Sequence, residues 1–160
     1  MTGKTLTLTP IGALHQGEDG AFAEIFPPYR TALAGLAGFG HVQLIWWFDR
    51  PQEEASAPGW TEHKPYRRGP EVLGAFATRS PLRPNPLALS CAGLLAVDEE
   101  AGVLRLDYVD AEDGTPLFDL KPYTPSVDRV GRPQVPAWCA HWPEDVEHAG
   151  EFAWEEEFNF

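Results

Sequence analysis

Val42-Gln43-Leu44-Ile45-Trp46-Trp47-Phe48 is the stretch that decides the fold. It is a run of branched and aromatic side chains broken only by Gln43, too short for a helix standing alone and of the composition that fills a buried central strand. Successive strand residues point to opposite faces, so Trp46 and Trp47 are expected on opposite sides of it. Downstream, Leu73 to Ala77, Leu87 to Val97 and Val103 to Val109 read as further strands. In the last of these Leu104, Leu106 and Tyr108 alternate with Arg105, Asp107 and Val109. Asp98 to Gly102 supplies a hairpin turn, and Asp113-Gly114 a second one that leads into a short strand near Leu117. Upstream, Thr5 to Thr9 alternates Thr with Leu6 and Leu8, which predicts a first strand. Pro27-Pro28, followed by Tyr29, Leu33 and Leu36 at one-turn spacing, predicts a short helix that ends near Gly38.

Between these elements the chain turns polar over about 51–70, a long surface loop carrying Trp60. Pro122, Pro125, Pro133 and Pro136 argue against regular structure late in the chain, and an acidic tail over about 144–160 reads as a closing helix or an ordered arm. Repeated short strands with one or two helices, and no alternation of strand and helix, predict a mainly β fold: a small mixed β-barrel with one or two short helices. The 160 residues are expected to form a single domain, 1–160, large enough to bury a core without disulfides or metals.

Twelve Lys and Arg against 24 Asp and Glu leave a formal charge of −12, which repels a polyanion unless basic residues are gathered, and only Lys64, Arg67 and Arg68 form a local basic cluster. Two cysteines, Cys91 and Cys139, are too few for a disulfide framework and lack zinc-site spacing. The five histidines are scattered, so no metal is expected. Met1 to Thr9 holds no run long enough for a signal peptide, and no stretch is long and apolar enough for a membrane helix; a cytoplasmic location with no membrane partner is expected.

Two segments carry chemistry. Phe76-Ala77-Thr78-Arg79-Ser80-Pro81-Leu82-Arg83-Pro84-Asn85-Pro86 gathers two arginines, three prolines, an Asn and two hydroxyls after an apolar strand. Each Pro fixes its own φ and pushes its predecessor toward extended geometry, so the loop is stiff before any ligand arrives. Arg79 and Arg83 offer planar donor forks suited to an anionic group, although pairing with acids of the same chain is the commoner fate of an isolated Arg. Asp113-Gly114-Thr115-Pro116-Leu117-Phe118-Asp119-Leu120-Lys121-Pro122-Tyr123 is the second segment, and strand alternation puts Asp119 and Lys121 on one face. A backbone edge left open by such prolines can hydrogen-bond an adenine while Leu120 or Tyr123 covers the ring.

Together these segments, with Ile11-Gly12 and Gly35-Leu36-Ala37-Gly38-Phe39-Gly40-His41, resemble the TsaA-like family, also called the YaeB or TrmO family. The resemblance runs through Pro125 and Asp128 and is to a short form without the C-terminal extension of the tRNA-acting members. It implies a β-barrel that binds S-adenosylmethionine, commonly as a homodimer, and transfers its methyl group. In the family the acceptor is N6 of threonylcarbamoyl-adenosine in tRNA. A small molecule or a protein is the alternative acceptor, and a non-catalytic S-adenosylmethionine-binding module the alternative function. By the motif match Arg79, Ser80, Arg83, Asn85, Pro86, Leu117, Asp119, Leu120 and Lys121 would bind the cofactor, with Lys121 and Tyr123 at the pocket mouth. Gly40, Ala88 and Leu82 depart from the family's usual Ser, Gly and polar or His residues at those places.

Methyl transfer from a sulfonium needs the acceptor atom in line with methyl and sulfur, and positioning in a dry pocket supplies most of the gain without a strong base. Tyr123, Asp119 and His41 are the candidates, in that order, to orient the acceptor nitrogen; the bland reading of His41 is a hydrogen-bonded residue at a strand start. The six tryptophans read as core or interface residues before base-stacking platforms.

Overall fold

A computed structural model describes residues 6–18, 20–48 and 59–159. Among the described residues eight strands follow one another: β1 (Gly12–Gly17), β2 (Gly20–Ile25), β3 (His41–Trp47), β4 (Thr61–His63), β5 (Val72–Gly74), β6 (Leu87–Asp98), β7 (Val103–Leu106) and β8 (Thr115–Pro122). Helical structure among the described residues is limited to single turns, α1 (Pro125–Asp128) and α2 (Val146–Ala149), and to short 3-10 segments. The chain, read from its sequence as one domain over 1–160, divides into two compact units, Met1–Asp49 with Leu87–Val127 and Arg50–Pro86 with Asp128–Phe160.

The first unit is a closed barrel in the order β1-β2-β7-β6-β3-β8, with β8 pairing back onto β1 and every pair antiparallel. Closure leaves the barrel without edge strands except at the end of β8 beyond Leu117, which pairs with β3 alone. Alternation fills the interior: Val42, Leu44 and Trp46 are buried while Gln43, Ile45 and Trp47 on the other face are only partly covered. The expected strand is therefore real, with Trp46 and Trp47 on opposite sides, but it is one-faced rather than buried on both. The Pro27–Leu33 segment is a 3-10 helix whose Leu33, with Leu36 beyond it, reaches the core.

Four expectations change. Residues 6–9 form no strand, and Leu6 and Leu8 are exposed; residue 5 lies outside the described residues. The first strand instead starts at Gly12, where a Cβ would lie 2.1 Å from the Glu24 carbonyl oxygen. The inward positions of β1 and β2 include Gly12, Ala21 and Ala23, so this hairpin has little hydrophobic signal. The strand expected to reach Val109 stops at Leu106, because Asp107 turns its carboxylate to the Gly93 amide at 2.8 Å; beyond it Val109 is buried and Tyr108 exposed, reversing the alternation. The strand expected over Leu73 to Ala77 ends at Gly74 and continues as a 3-10 turn, Ala75–Ala77. Within the expected loop at 51–70, residues 51–58 lie outside the described ones, and Thr61–His63 form β4, paired with β5.

The second unit is built on aromatic rings. Tyr66 stacks on Trp138 at 5.2 Å between centroids, Trp142 meets Trp154 edge-on at 5.3 Å, and Trp154 stacks on Phe158 at 5.9 Å. The acidic tail is an ordered arm: α2, N-capped by Asp145, then a 3-10 turn at Trp154–Glu156. Glu157 is buried, its carboxylate facing His141 Nε2 at 2.7 Å and accepting from Trp142 Nε1 at 3.3 Å. The His141 contact, against the opposing effect of burial, holds this carboxyl below the usual glutamate range.

Gly12→Ala forces a methyl into a backbone carbonyl, so chemical denaturation should show a loss of about 1–3 kcal/mol or more. For Glu157 the folded carboxyl is the stronger acid, so its stabilisation is present above the ordinary glutamate range and disappears as pH falls through the depressed value. Tryptophan fluorescence during acid titration should report that loss, and Glu157→Gln should be less stable at neutral pH and lack the acid step.

Candidate functional site

The first motif segment runs from the Ala75–Ala77 turn to Pro86, within the second unit. Its polar groups are largely satisfied by the loop itself. The Thr78 hydroxyl donates to Glu62 Oε1 at 2.9 Å and accepts from the Ser80 amide at 3.3 Å, and the Ser80 hydroxyl accepts from the Leu82 amide at 3.2 Å. These are hydroxyl turns of the kind that Ser and Thr favour where prolines forbid a ladder. Arg83 Nη1 donates to the Thr78 carbonyl at 2.8 Å and to the Ser80 carbonyl at 3.4 Å, and its guanidinium carbon lies 5.8 Å from the centre of the Phe76 ring. Arg83 therefore staples the loop through its Nη1. Arg79 and Asn85 are exposed, Ser80 and Pro86 half-buried.

The second segment is β8, in the barrel. Leu117 stands opposite Gly12 on β1 and Trp46 on β3 and is wholly buried, so its side chain is core. Pairing with β1 ends there, and β8 continues along β3 alone. A register shift between Ile45 and Trp46 passes over Phe118, one extra residue on β8. Such a bulge re-aims the side chains beyond it: Leu120 packs on the core three residues after Leu117, while Asp119 and Lys121 share the other face and pair at 2.6 Å. Asp119 also accepts from the Leu120 amide at 2.9 Å. At the end of β8 the Tyr123 amide donates to the His41 carbonyl at 2.9 Å, and the two rings meet edge-on at 6.2 Å. The structure thus brings together Ser80 with Arg83, Asp119 with Lys121, and His41 with Tyr123.

Some supporting residues were not singled out from the sequence. Glu62 anchors Thr78 from β4. His15 Nδ1 meets Asp113 Oδ1 at 3.0 Å, which with the Gln16 amide holds the Asp113 carboxyl below its usual range and fixes the turn before β8. Neither contact has a spacing signal, since 98 residues separate His15 from Asp113. Among the described residues no three His, Cys, Asp or Glu converge as a metal-binding group.

Comparison with known proteins agrees with the fold. A crystal structure of TrmO from Pseudomonas aeruginosa superposes with a TM-score of 0.62 at 28% identity, covering 82% of this chain and 62% of that one. A probable S-adenosyl-L-methionine-binding protein of Pyrococcus abyssi is 39% identical over 105 residues, 66% of this chain and 53% of the relative. The tRNA (adenine(37)-N6)-methyltransferase of Escherichia coli is 36% identical over 110 residues, 66% of this chain and 46% of the relative. The chain thus spans about half the length of these two curated relatives. The family model described as tRNA-methyltransferase O N-terminal domain matches residues 4–129, both motif segments included, and with most of the chain so matched this protein belongs to that family.

Proposed function

We propose that this protein is an S-adenosylmethionine-dependent methyltransferase whose acceptor is a nucleoside nitrogen in tRNA. The observation that carries the reading is the self-bonded loop from Thr78 to Pro86, whose hydroxyls and Arg83 take up its own main-chain groups, together with the family membership of residues 4–129. Each motif segment, taken by itself, offers groups that suit the cofactor. Arg79 brings a guanidinium suited to a carboxylate, Asn85 and Ser80 bring neutral donors and acceptors, and Asp119 and Lys121 bring one charge of each sign. Pro86 and Leu120 supply apolar cover, and the edge of β8 beyond Leu117 offers main-chain groups to a planar heterocycle. Arg83 and Leu117 contribute indirectly, the first by holding the loop and the second by holding β8 in the barrel.

When bound, S-adenosylmethionine supplies an electrophilic methyl group on a sulfonium. The chain's own part is positioning: Tyr123, held by the His41 carbonyl, offers a hydroxyl that can orient the acceptor nitrogen, and Asp119, already accepting from Lys121 and Leu120, is a fixed negative group rather than a mobile base. A binding module without transfer is the second reading, supported by a relative from Archaeoglobus fulgidus named an S-adenosyl-L-methionine-binding protein, 32% identical over 111 residues. We place the protein in the cytoplasm as a homodimer. The partly covered outward residues Trp47 and Ile45 of β3, which pair with exposed Leu87 and Leu89 of β6, form the apolar patch that supports association.

Labelled methyl transfer, with and without tRNA, tests the activity; calorimetric binding without transfer to tRNA, protein or small-molecule fractions would leave the binding module. Arg79→Ala should weaken S-adenosylmethionine about tenfold or more while barely affecting methylthioadenosine, which lacks the amino-acid carboxylate. Arg83→Ala, by loosening the loop, should weaken both ligands alike. In sedimentation, Leu89→Glu should shift the protein toward monomer, and an unchanged dimer would assign the contact elsewhere.

A further inference from the structure

The Ala75–Ala77 turn does something the cofactor loop does not need. In a 3-10 turn residues three apart lie one above the other. Here Ala75 and Thr78 form the inward row, 3% and 7% exposed, with the Ala75 amide donating to the Trp60 carbonyl at 2.9 Å and the Thr78 hydroxyl donating to Glu62. Phe76 is thereby forced to the outside, where it is 83% exposed. An exposed phenyl ring is costly to keep in water. One side is backed by the Arg83 guanidinium at 5.8 Å, a cation that cannot follow solvent because the Thr78 and Ser80 carbonyls hold it. The rest of the ring remains open.

A rigid aromatic ring with a fixed cation behind it is the arrangement on which planar heterocycles stack, and unpaired bases gain affinity this way whatever their sequence. The formal charge of −12 opposes contact with a polyanion, so affinity for an RNA has to come from local contacts such as stacking on this ring. We propose that Phe76, backed by Arg83, is the platform on which an unpaired nucleobase of the RNA acceptor stacks. The inference rests on the methyltransferase reading for its acceptor, but the stacking is measured separately.

The test uses the full chain and an RNA stem-loop carrying 2-aminopurine in its single-stranded loop, whose fluorescence falls when the base stacks. Wild-type protein should quench it. Phe76→Leu should abolish the quench and weaken RNA binding about tenfold, with S-adenosylmethionine affinity and melting temperature unchanged. Phe76→Trp should restore both RNA signals. Phe76→Leu that binds and quenches like wild type overturns the platform, and wild-type methyl transfer to tRNA would then still support the methyltransferase reading. Wild-type quenching that is lost in Phe76→Leu, with no methyl transfer, keeps the platform and removes that reading. Loss of S-adenosylmethionine affinity with intact RNA binding would assign the ring to the cofactor's adenine. Dissociation of a dimer with intact RNA binding would assign it to a contact between copies. Either result overturns the proposal.

Discussion

Strand β8 has two partners, and the barrel exists because one residue on it satisfies both. Leu117 stands between Gly12 of β1 and Trp46 of β3. A glycine on one side and an indole on the other give the close-packed mixture of small and large that an interior requires. Gly12 has no alternative, since its Cα lies against the Glu24 carbonyl of β2 too closely for any side chain. The hairpin β1–β2, the closure and the burial of Leu117 thus depend on one close approach of backbone to backbone.

The same strand carries candidate site residues because closure uses only its first half. After Leu117 the pairing with β1 stops, and the extra residue Phe118 shifts the alternation so that Leu120 keeps contact with the core while Asp119 and Lys121 face away from it. One bulge turns two charged side chains out of the barrel without breaking the strand's ladder with β3. The Thr78–Pro86 loop reaches a similar end by other means. Its prolines remove ladder donors, its hydroxyls take up the amides that remain, and Arg83 gathers two carbonyls, so the loop is ordered by its own atoms.

Legibility in the sequence followed side-chain size. The strand around Val42–Phe48 and the long β6 were readable because large apolar residues mark them, whereas β1 and β2 were not, because glycine and alanine occupy inward positions there. Thr5 to Thr9 misled for the opposite reason: alternation is necessary for a strand but needs a partner, and residues 6–9 have none in the barrel. At the candidate site the residue types were readable, and so was the common face of Asp119 and Lys121. The bonds from Arg83 Nη1 to the Thr78 and Ser80 carbonyls were not, since a guanidinium suits a ligand carboxylate and a main-chain carbonyl equally well.

By itself, then, the sequence determined a mainly β barrel, the family, and two motif segments, because periodicity, turn residues and a rare run of Arg, Pro and Asn are local properties of the chain. Tertiary structure alone decided the strand order, the bulge at Phe118, the burial of Glu157 among tryptophans, the His15 clamp on Asp113 and the turning outward of Phe76. Each of those depends on a partner distant in the chain or on which side of a turn is already occupied, and no spacing rule encodes such a partner.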